Sequence, residues 1–417
     1  MKLMSPMIVS NFFLFLITIF SFHGLEKKSI QQTQKVEKIS FWDAQQKGAN
    51  YFNKTPTREW FESAAKANIR LVRFTYEKWE GEQRDFLLGS ADDYAGIVEK
   101  DFQKLKHYLD VANQLDMKVV ISPLSLPGAR YAQSNGRIRD GRLWTDQRYL
   151  SQAIQFWKDL ATRLKDQPNV VGYNLINEPH PEWFHNKRTF WDKGFQRWYQ
   201  DRIGKPGDLN SFNQQLIKAI RTIDKKTPII VASGLYATPW AFEYLKPVDD
   251  PHIIYSFHMY EPYSFTTRRI NDGKYQYPGK IPIADLDGEI FTMNKESLHE
   301  FLNPVKDWAE KNKIPSNRIW AAEFGCDRKT KGAENYLNDL IDIFNEENWH
   351  WSFYAYREDV WESMDYELGT QNVYWKYWDY SDAGILHENY DEIYARTNNN
   401  SLWSRFKNEL STSPTSD

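Results

Sequence analysis

The chain repeats one alternation eight times. A short β-branched or apolar run is followed by a longer stretch that is apolar at three-to-four spacing, with charge on its other face. That rhythm is expected of strand-helix units built around a parallel sheet. The strand candidates are GANYF from Gly48, IRLVRF from Ile69, KVVIS from Lys118, VVGYNLI from Val170, PIIVAS from Pro228, IIYSFH from Ile253, RIWAAEF from Arg318 and HWSFYAY from His350. Between them run helical patterns such as TREWFESAAKA, DFQKLKHYLDVANQLD, QRYLSQAIQFWKDLATRLKD, LNSFNQQLIKAIRTID and ENYLNDLIDIFNEE. Eight such units describe a (β/α)8 barrel. An open doubly wound sheet competes, but no glycine-rich phosphate turn follows the first strand. No Pro-, Gly- or Ser-rich linker divides the chain between Gly48 and Tyr356. The expected fold class is therefore α/β, a single TIM barrel with extended βα loops over residues 25–396, followed by a polar C-terminal tail at 397–417.

Composition narrows the partners. With a net charge of -3 over 417 residues, there is no electrostatic reason to expect nucleic acid or an anionic membrane surface. The 17 Trp and 24 Tyr supply flat faces that fill a large core or line a groove for a ligand with apolar CH faces. Cys326 is the single cysteine, so no intrachain disulfide forms. The apolar run from Met7 to Phe22, after one early lysine, is too short and too interrupted to span a membrane. Residues 1–24 read instead as a secretory signal, with an uncleaved anchor as the alternative. Secretion or a periplasmic location follows, with no stable membrane partner if the signal is removed. The histidine spacing suggests no zinc site, and neither metal nor organic cofactor is expected. A monomer is expected.

In a (β/α)8 barrel the active site lies at the carboxyl ends of the strands, so the polar residues there are the ones to collect. Strand two ends near Arg73, strand four at Asn177 and Glu178, strand six at His258 and Tyr260, strand seven at Glu323 and strand eight near Tyr354. Two glutamates from strands four and seven would face one cavity. Paired carboxylates across a cleft suit glycoside hydrolysis, in which one must carry a proton for the leaving oxygen and the other must be ionised. Arg73 beside Glu323 would favour its anionic form, and that charge would in turn raise the proton affinity of Glu178. Carboxyl groups about 5 to 5.5 Å apart imply retention of anomeric configuration, and about 6.5 to 9.5 Å inversion.

These residues resemble glycoside hydrolase family 5, the cellulase-like retaining β-glycosidases. LINEPHP is similar to the family's strand-four motif, which implies Glu178 as acid/base and Asn177 as the contact to the sugar 2-hydroxyl. AAEFG is similar to its strand-seven motif, which implies Glu323 as nucleophile. NIRLVRF carries the strand-two arginine at Arg73, and SFHMYEPY a His-x-Tyr at His258 and Tyr260, with Tyr260 implied to hydrogen-bond the nucleophile. The resemblance spans roughly Gly48 to Tyr356 and implies an oligo- or polysaccharide substrate, a β-linked glucan or mannan. Two departures stand out. In ISPLSLPG, Leu124 occupies the position where the family commonly has histidine. The strand-eight tryptophan that usually floors the reacting subsite falls on Tyr354, or on Trp351 if the register shifts. Three further readings share this site: a transglycosylase, a glycolipid-directed glycosidase, and a carbohydrate-binding barrel whose chemistry has lapsed. Trp79, Trp183, Trp191 and Trp240 lie in loops where they either stack on sugar or pack.

Overall fold

The computed structural model describes residues 37–187, 194–283, 289–373 and 400–412. The segment read as a signal, residues 1–24, and Trp191 lie outside them. Eight strands close a parallel barrel: β1 (Lys47–Tyr51), β2 (Leu71–Phe74), β3 (Lys118–Ile121), β6 (Val170–Asn174), β7 (Ile229–Ala232), β8 (Ile253–Met259), β11 (Ile319–Phe324) and β12 (His350–Phe353), with β12 pairing back onto β1. All eight coincide with the runs picked out in the sequence. Two small antiparallel hairpins are extra: β4 (Ala129–Arg130) with β5 (Asp140–Gly141), and β9 (Gly279–Pro282) with β10 (Ile290–Met293). Both belong to long βα loops that wall the mouth of the barrel.

Strand periodicity sorts the side chains. In β2, Val72 and Phe74 join the large apolar layer between sheet and helices, while Leu71 and Arg73 face inward. Leu71, Val120, Val171, Ile230, Ile254, Trp320 and Ala322 fill the amino-terminal half of the interior. A short 3-10 helix, Lys38–Asp43, plugs that end with Trp42, whose indole N–H donates to the Val171 carbonyl at 3.0 Å. Around the barrel lie α1 (Arg58–Lys66), α2 (Glu99–Gln114), α3 (Gln147–Leu164), α4 (Phe195–Arg202), α5 (Leu209–Arg221), α6 (Lys295–Asn312) and α7 (Ala333–Glu346). Their starts are legible locally. Thr57, Asp146, Asp208 and Asn294 each accept a backbone N–H from the first turn of the helix that follows.

The segment set apart as a polar tail corrects the sequence reading in its described part. Ser401–Ser411 forms α8, which buries Leu402, Trp403, Phe406 and Leu410. Phe406 packs 4.6 Å from Phe353, ring centre to ring centre, and Trp403 stacks on Tyr356. Four apolar residues at helical spacing outweigh the polar residues around them, because they cover the outer face of β12. Among the described residues, no helix is long and apolar enough to cross a membrane.

Candidate active site

The carboxyl ends of the strands converge on a buried polar network. Arg73 is its hub. Its Nη1 donates to Glu323 Oε1 at 2.5 Å and to Asn50 Oδ1 at 3.2 Å, and its Nη2 to Asn174 Oδ1 at 2.9 Å and Asn177 Oδ1 at 2.5 Å. Arg73 is fully buried and Glu323 nearly so, so each charge depends on the other. Tyr260 donates its hydroxyl to the second Glu323 oxygen, Oε2, at 2.8 Å. Both oxygens are thus held, and the carboxylate plane is oriented.

Glu323 reaches this position through a break in strand periodicity. Trp320 and Ala322 face the interior, which by simple alternation would send Glu323 outward. The β11 register against β8 shifts between Ala321 and Glu323, a bulge that puts Phe324 on the outer face beside Phe344 and Phe406 and turns Glu323 into the mouth. Asn50 Nδ2 donates to the Ala322 carbonyl at 2.8 Å and steadies the bulge.

Glu178 lies opposite. One of its oxygens, one Glu323 oxygen and one ring nitrogen of His258 fall within 4.8 Å of one another. His258 Nδ1 is 3.0 Å from Glu178 Oε1, and Tyr131 donates its hydroxyl to Glu178 Oε2 at 3.0 Å. Burial dominates the titration here. It lifts the Glu178 carboxyl to about 7, against the lowering pull of Tyr131 and Arg73. Burial likewise depresses His258 to about 4, so its ring is neutral near pH 7. A neutral ring meets either state of Glu178, accepting from the acid or donating from Nδ1 to the carboxylate. Two carboxylates and a histidine this close have the donor types of a metal site, but the Glu323 charge is already met by Arg73 and Tyr260.

The backbone beneath Glu178 is unusual. Glu178 has φ of +47°, in the left-handed region, and its carbonyl accepts from Tyr131 OH at 3.0 Å and lies 2.6 Å from His180 Nδ1. Tyr236 stacks on the His180 ring, 4.4 Å between centres and 12° from parallel. Leu235, Tyr236 and Ala237 are themselves three consecutive left-handed residues. They are pinned by the Pro179 carbonyl, which accepts from Tyr236 N–H at 3.1 Å, and by the buried Glu182, which accepts from Leu235 N–H at 3.2 Å and from Tyr199. Gly234 lies close against this pair, since a Cβ there would sit 2.1 Å from Glu182 Oε1 and displace that side chain.

The candidates from sequence fare unequally. Arg73, Asn177, Glu178, His258, Tyr260 and Glu323 come together. Tyr354 lines a small recess beside Glu323 with Asn177, Phe52, Trp361 and Leu124. Trp351 does not belong to the site. It lies on the outer face of β12 against Phe324 and Phe406, because His350, Ser352 and Tyr354 share the inward parity. Trp79 is core, ringed by Tyr51, Phe74 and Phe86. Trp183 and Trp240 line a cavity of about 410 Å³ that opens from Glu178 and also includes Tyr131, Arg139, Tyr236 and Trp361. Asn50, Asn174, Tyr131 and Trp361 went unrecognised. Asn50 continues the inward parity of β1, a signal available in the sequence, whereas Asn174 turns inward only because β6 shifts register against β3 between Val170 and Gly172, and Tyr131 and Trp361 come from loops that no period indexes.

A closed (β/α)8 barrel with two glutamates facing each other at its carboxyl mouth has the arrangement used by enzymes that hydrolyse O-glycosyl bonds. Residues 30–360 match the family model for Cellulase (glycosyl hydrolase family 5), and the chain belongs to that family. It is 21% identical over 349 residues to endoglucanase C of Acetivibrio thermocellus, covering 77% of this chain and 88% of that protein. Among solved structures it is similar to endoglucanase Cel5A from the hyperthermophilic Thermotoga maritima, with a TM-score of 0.56, 20% identity and coverage of 77% of this chain and 93% of that one. A hyperthermophilic endo-beta-1,4-glucanase in complex with substrate gives a TM-score of 0.58 at 18% identity, over 84% of this chain and 99% of that one.

Proposed function

We propose that this glycosidase cleaves a β-linked glucan with retention of anomeric configuration, Glu178 serving as acid/base and Glu323 as nucleophile. The observation that carries the reading is the unequal treatment of two carboxylates whose oxygens approach within 4.8 Å. Arg73 and Tyr260 hold both oxygens of Glu323. Burial favours the proton on Glu178. Their closeness fits the spacing of about 5 to 5.5 Å used for covalent catalysis better than the wider gap an inverting water needs.

In the first step a Glu323 oxygen attacks the anomeric carbon while Glu178 gives its proton to the departing glycosidic oxygen. In the second, the Glu178 carboxylate takes a proton from water, whose oxygen displaces Glu323. Asn177, held through Oδ1 by Arg73, presents its amide N–H to the sugar 2-hydroxyl. Neutral His258 adds no charge to compete with the proton on Glu178. Tyr354, beside Glu323, replaces the family's tryptophan as the floor of the reacting subsite, and Leu124 leaves one polar contact to that sugar unmade. The relatives named as endoglucanases support the β-glucan assignment. The amino-terminal run supports an exported protein.

Purified protein screened against β-glucans, mannans, aryl β-glycosides and glycosphingolipids, with NMR of the first-formed anomer, tests this reading. β-Glucan cleavage with a β-anomeric product is expected. An α-anomeric product would overturn retention. Activity surviving in both Glu178→Ala and Glu323→Gln would overturn the residue assignment, and products enlarged by an added acceptor would indicate transglycosylation.

A further inference from the structure

Arg139 stands out on the leaving-group side of the cavity. Its guanidinium lies 4.3 Å from the Trp183 ring centre and 5.6 Å from that of Tyr236, and it donates to the Tyr236 hydroxyl. Aromatic rings from two different loops thus fix the plane of an exposed fork that has five donors and, among the described residues, uses one. No carboxylate among the described residues pairs with it. The contrast is Arg269 on the same cavity, whose Nε is 3.2 Å from Glu362 and whose Nη2 donates to Tyr263 at 3.1 Å.

An unpaired cation at this place works against the reaction. Glu178 is faced by Arg73, Tyr131, His258, Tyr260 and Glu323, and from the cavity side by Arg139, with Tyr236 behind it. The charge on Arg139 pulls against the proton that Glu178 must deliver. For a neutral leaving group that pull brings no return, and the Trp183 face that could stack on a sugar is occupied by the guanidinium instead.

We propose that the leaving-group side of this cavity takes a sugar bearing an anionic substituent, a carboxylate or a sulfate ester, bound by the free fork of Arg139. This rests on the glycosidase reading above. The bound anion neutralises Arg139 while the substrate is in place, so the proton stays on Glu178 until the glycosidic oxygen departs. A planar fork matches either oxyanion through two parallel hydrogen bonds.

The test compares β-1,4-linked gluco-oligosaccharides whose leaving-group residue is glucose, glucuronic acid or glucose 6-sulfate. At low ionic strength, kcat/KM for the acidic substrates should exceed that for the neutral one by about tenfold, and the ratio should shrink with added salt. The two acidic arms separate carboxylate from sulfate. Arg139→Gln should collapse the ratio to about one, Arg139→Lys should restore part of it, and in the wild type the basic limb of kcat should lie at higher pH with an acidic substrate than with the neutral one. Calorimetric binding of the same sugars to Glu178→Gln protein reads the preference without turnover. Equal ratios in wild type and Arg139→Gln, or no binding preference for either acidic sugar, would overturn the proposal. Failure of the neutral substrate to be cleaved while the binding preference persists would instead count against the glucanase reading.

Discussion

The interior of the barrel changes character within two to four residues along its strands. At the amino-terminal end Leu71, Val120, Ile230, Ile254 and Trp320 close around Trp42, apolar against apolar. At the carboxyl end the barrel strands present Asn50, Arg73, Asn174, His258 and Glu323, buried almost as deeply. The lower half contributes stability. The upper half confines charge where water is scarce, which is costly unless each group is paired and hydrogen-bonded. Arg73 meets that condition by touching four side chains. The comparison shows why such a site sits on a barrel: a packed lower half holds a strained, charged upper half in place.

Substitutions should separate the halves. Glu323→Gln is expected to lower kcat on the order of 10⁴-fold or more, since no other group can form the glycosyl bond, and to lower the unfolding midpoint, because the buried Arg73 loses the charge it is paired with. Steady-state kinetics beside denaturant melts would check both. Glu178→Ala should cost about 10² to 10⁴-fold on substrates with poor leaving groups and far less on an activated aryl glycoside, which departs without a proton. The same residue sets a pH limb. With Glu178 raised to about 7, the protonated acid predominates below that pH, so kcat/KM should fall as pH rises through 7. A flat profile from pH 6 to 9 would contradict the role.

At the opposite end, Trp42→Ala should remove about 3 to 5 kcal/mol of stability while leaving kcat per folded molecule unchanged, measured by urea unfolding and active-site titration. A loss of kcat there would mean that the two halves are not independent. The smallest effect is expected from Tyr260→Phe, which removes one hydrogen bond to a charged acceptor, worth about 1.5 to 3 kcal/mol. That is roughly a tenfold to hundredfold loss in kcat/KM.

Much of this was readable in advance, and the failures share a cause. All eight barrel strands were found because period two and period 3.6 are local properties of the chain. Arg73, Glu178, His258, Tyr260 and Glu323 were found because strand ends are few and polar residues there are conspicuous. Trp351 was misplaced for want of a register, which Tyr354 and the inward parity of β12 supplied. The helix at Ser401–Ser411 was overlooked because its apolar face has meaning only opposite Phe353 and Tyr356. Asp92, in the loop after β2, accepts from Arg130 at 3.0 and 2.9 Å and from Arg142, and helps hold the β4–β5 hairpin.

By itself the sequence determined the strand-helix repeat, the barrel and the strand ends at which chemistry could sit, since hydrophobic periodicity is written residue by residue. Only the tertiary structure decided that Glu323 turns inward at a bulge, that Tyr131 and His180 clamp the left-handed Glu178, and that Arg139 faces the cavity with no acid paired to it among the described residues. Those depend on distances between loops far apart in the chain, and burial and charge take their values only once the loops have met.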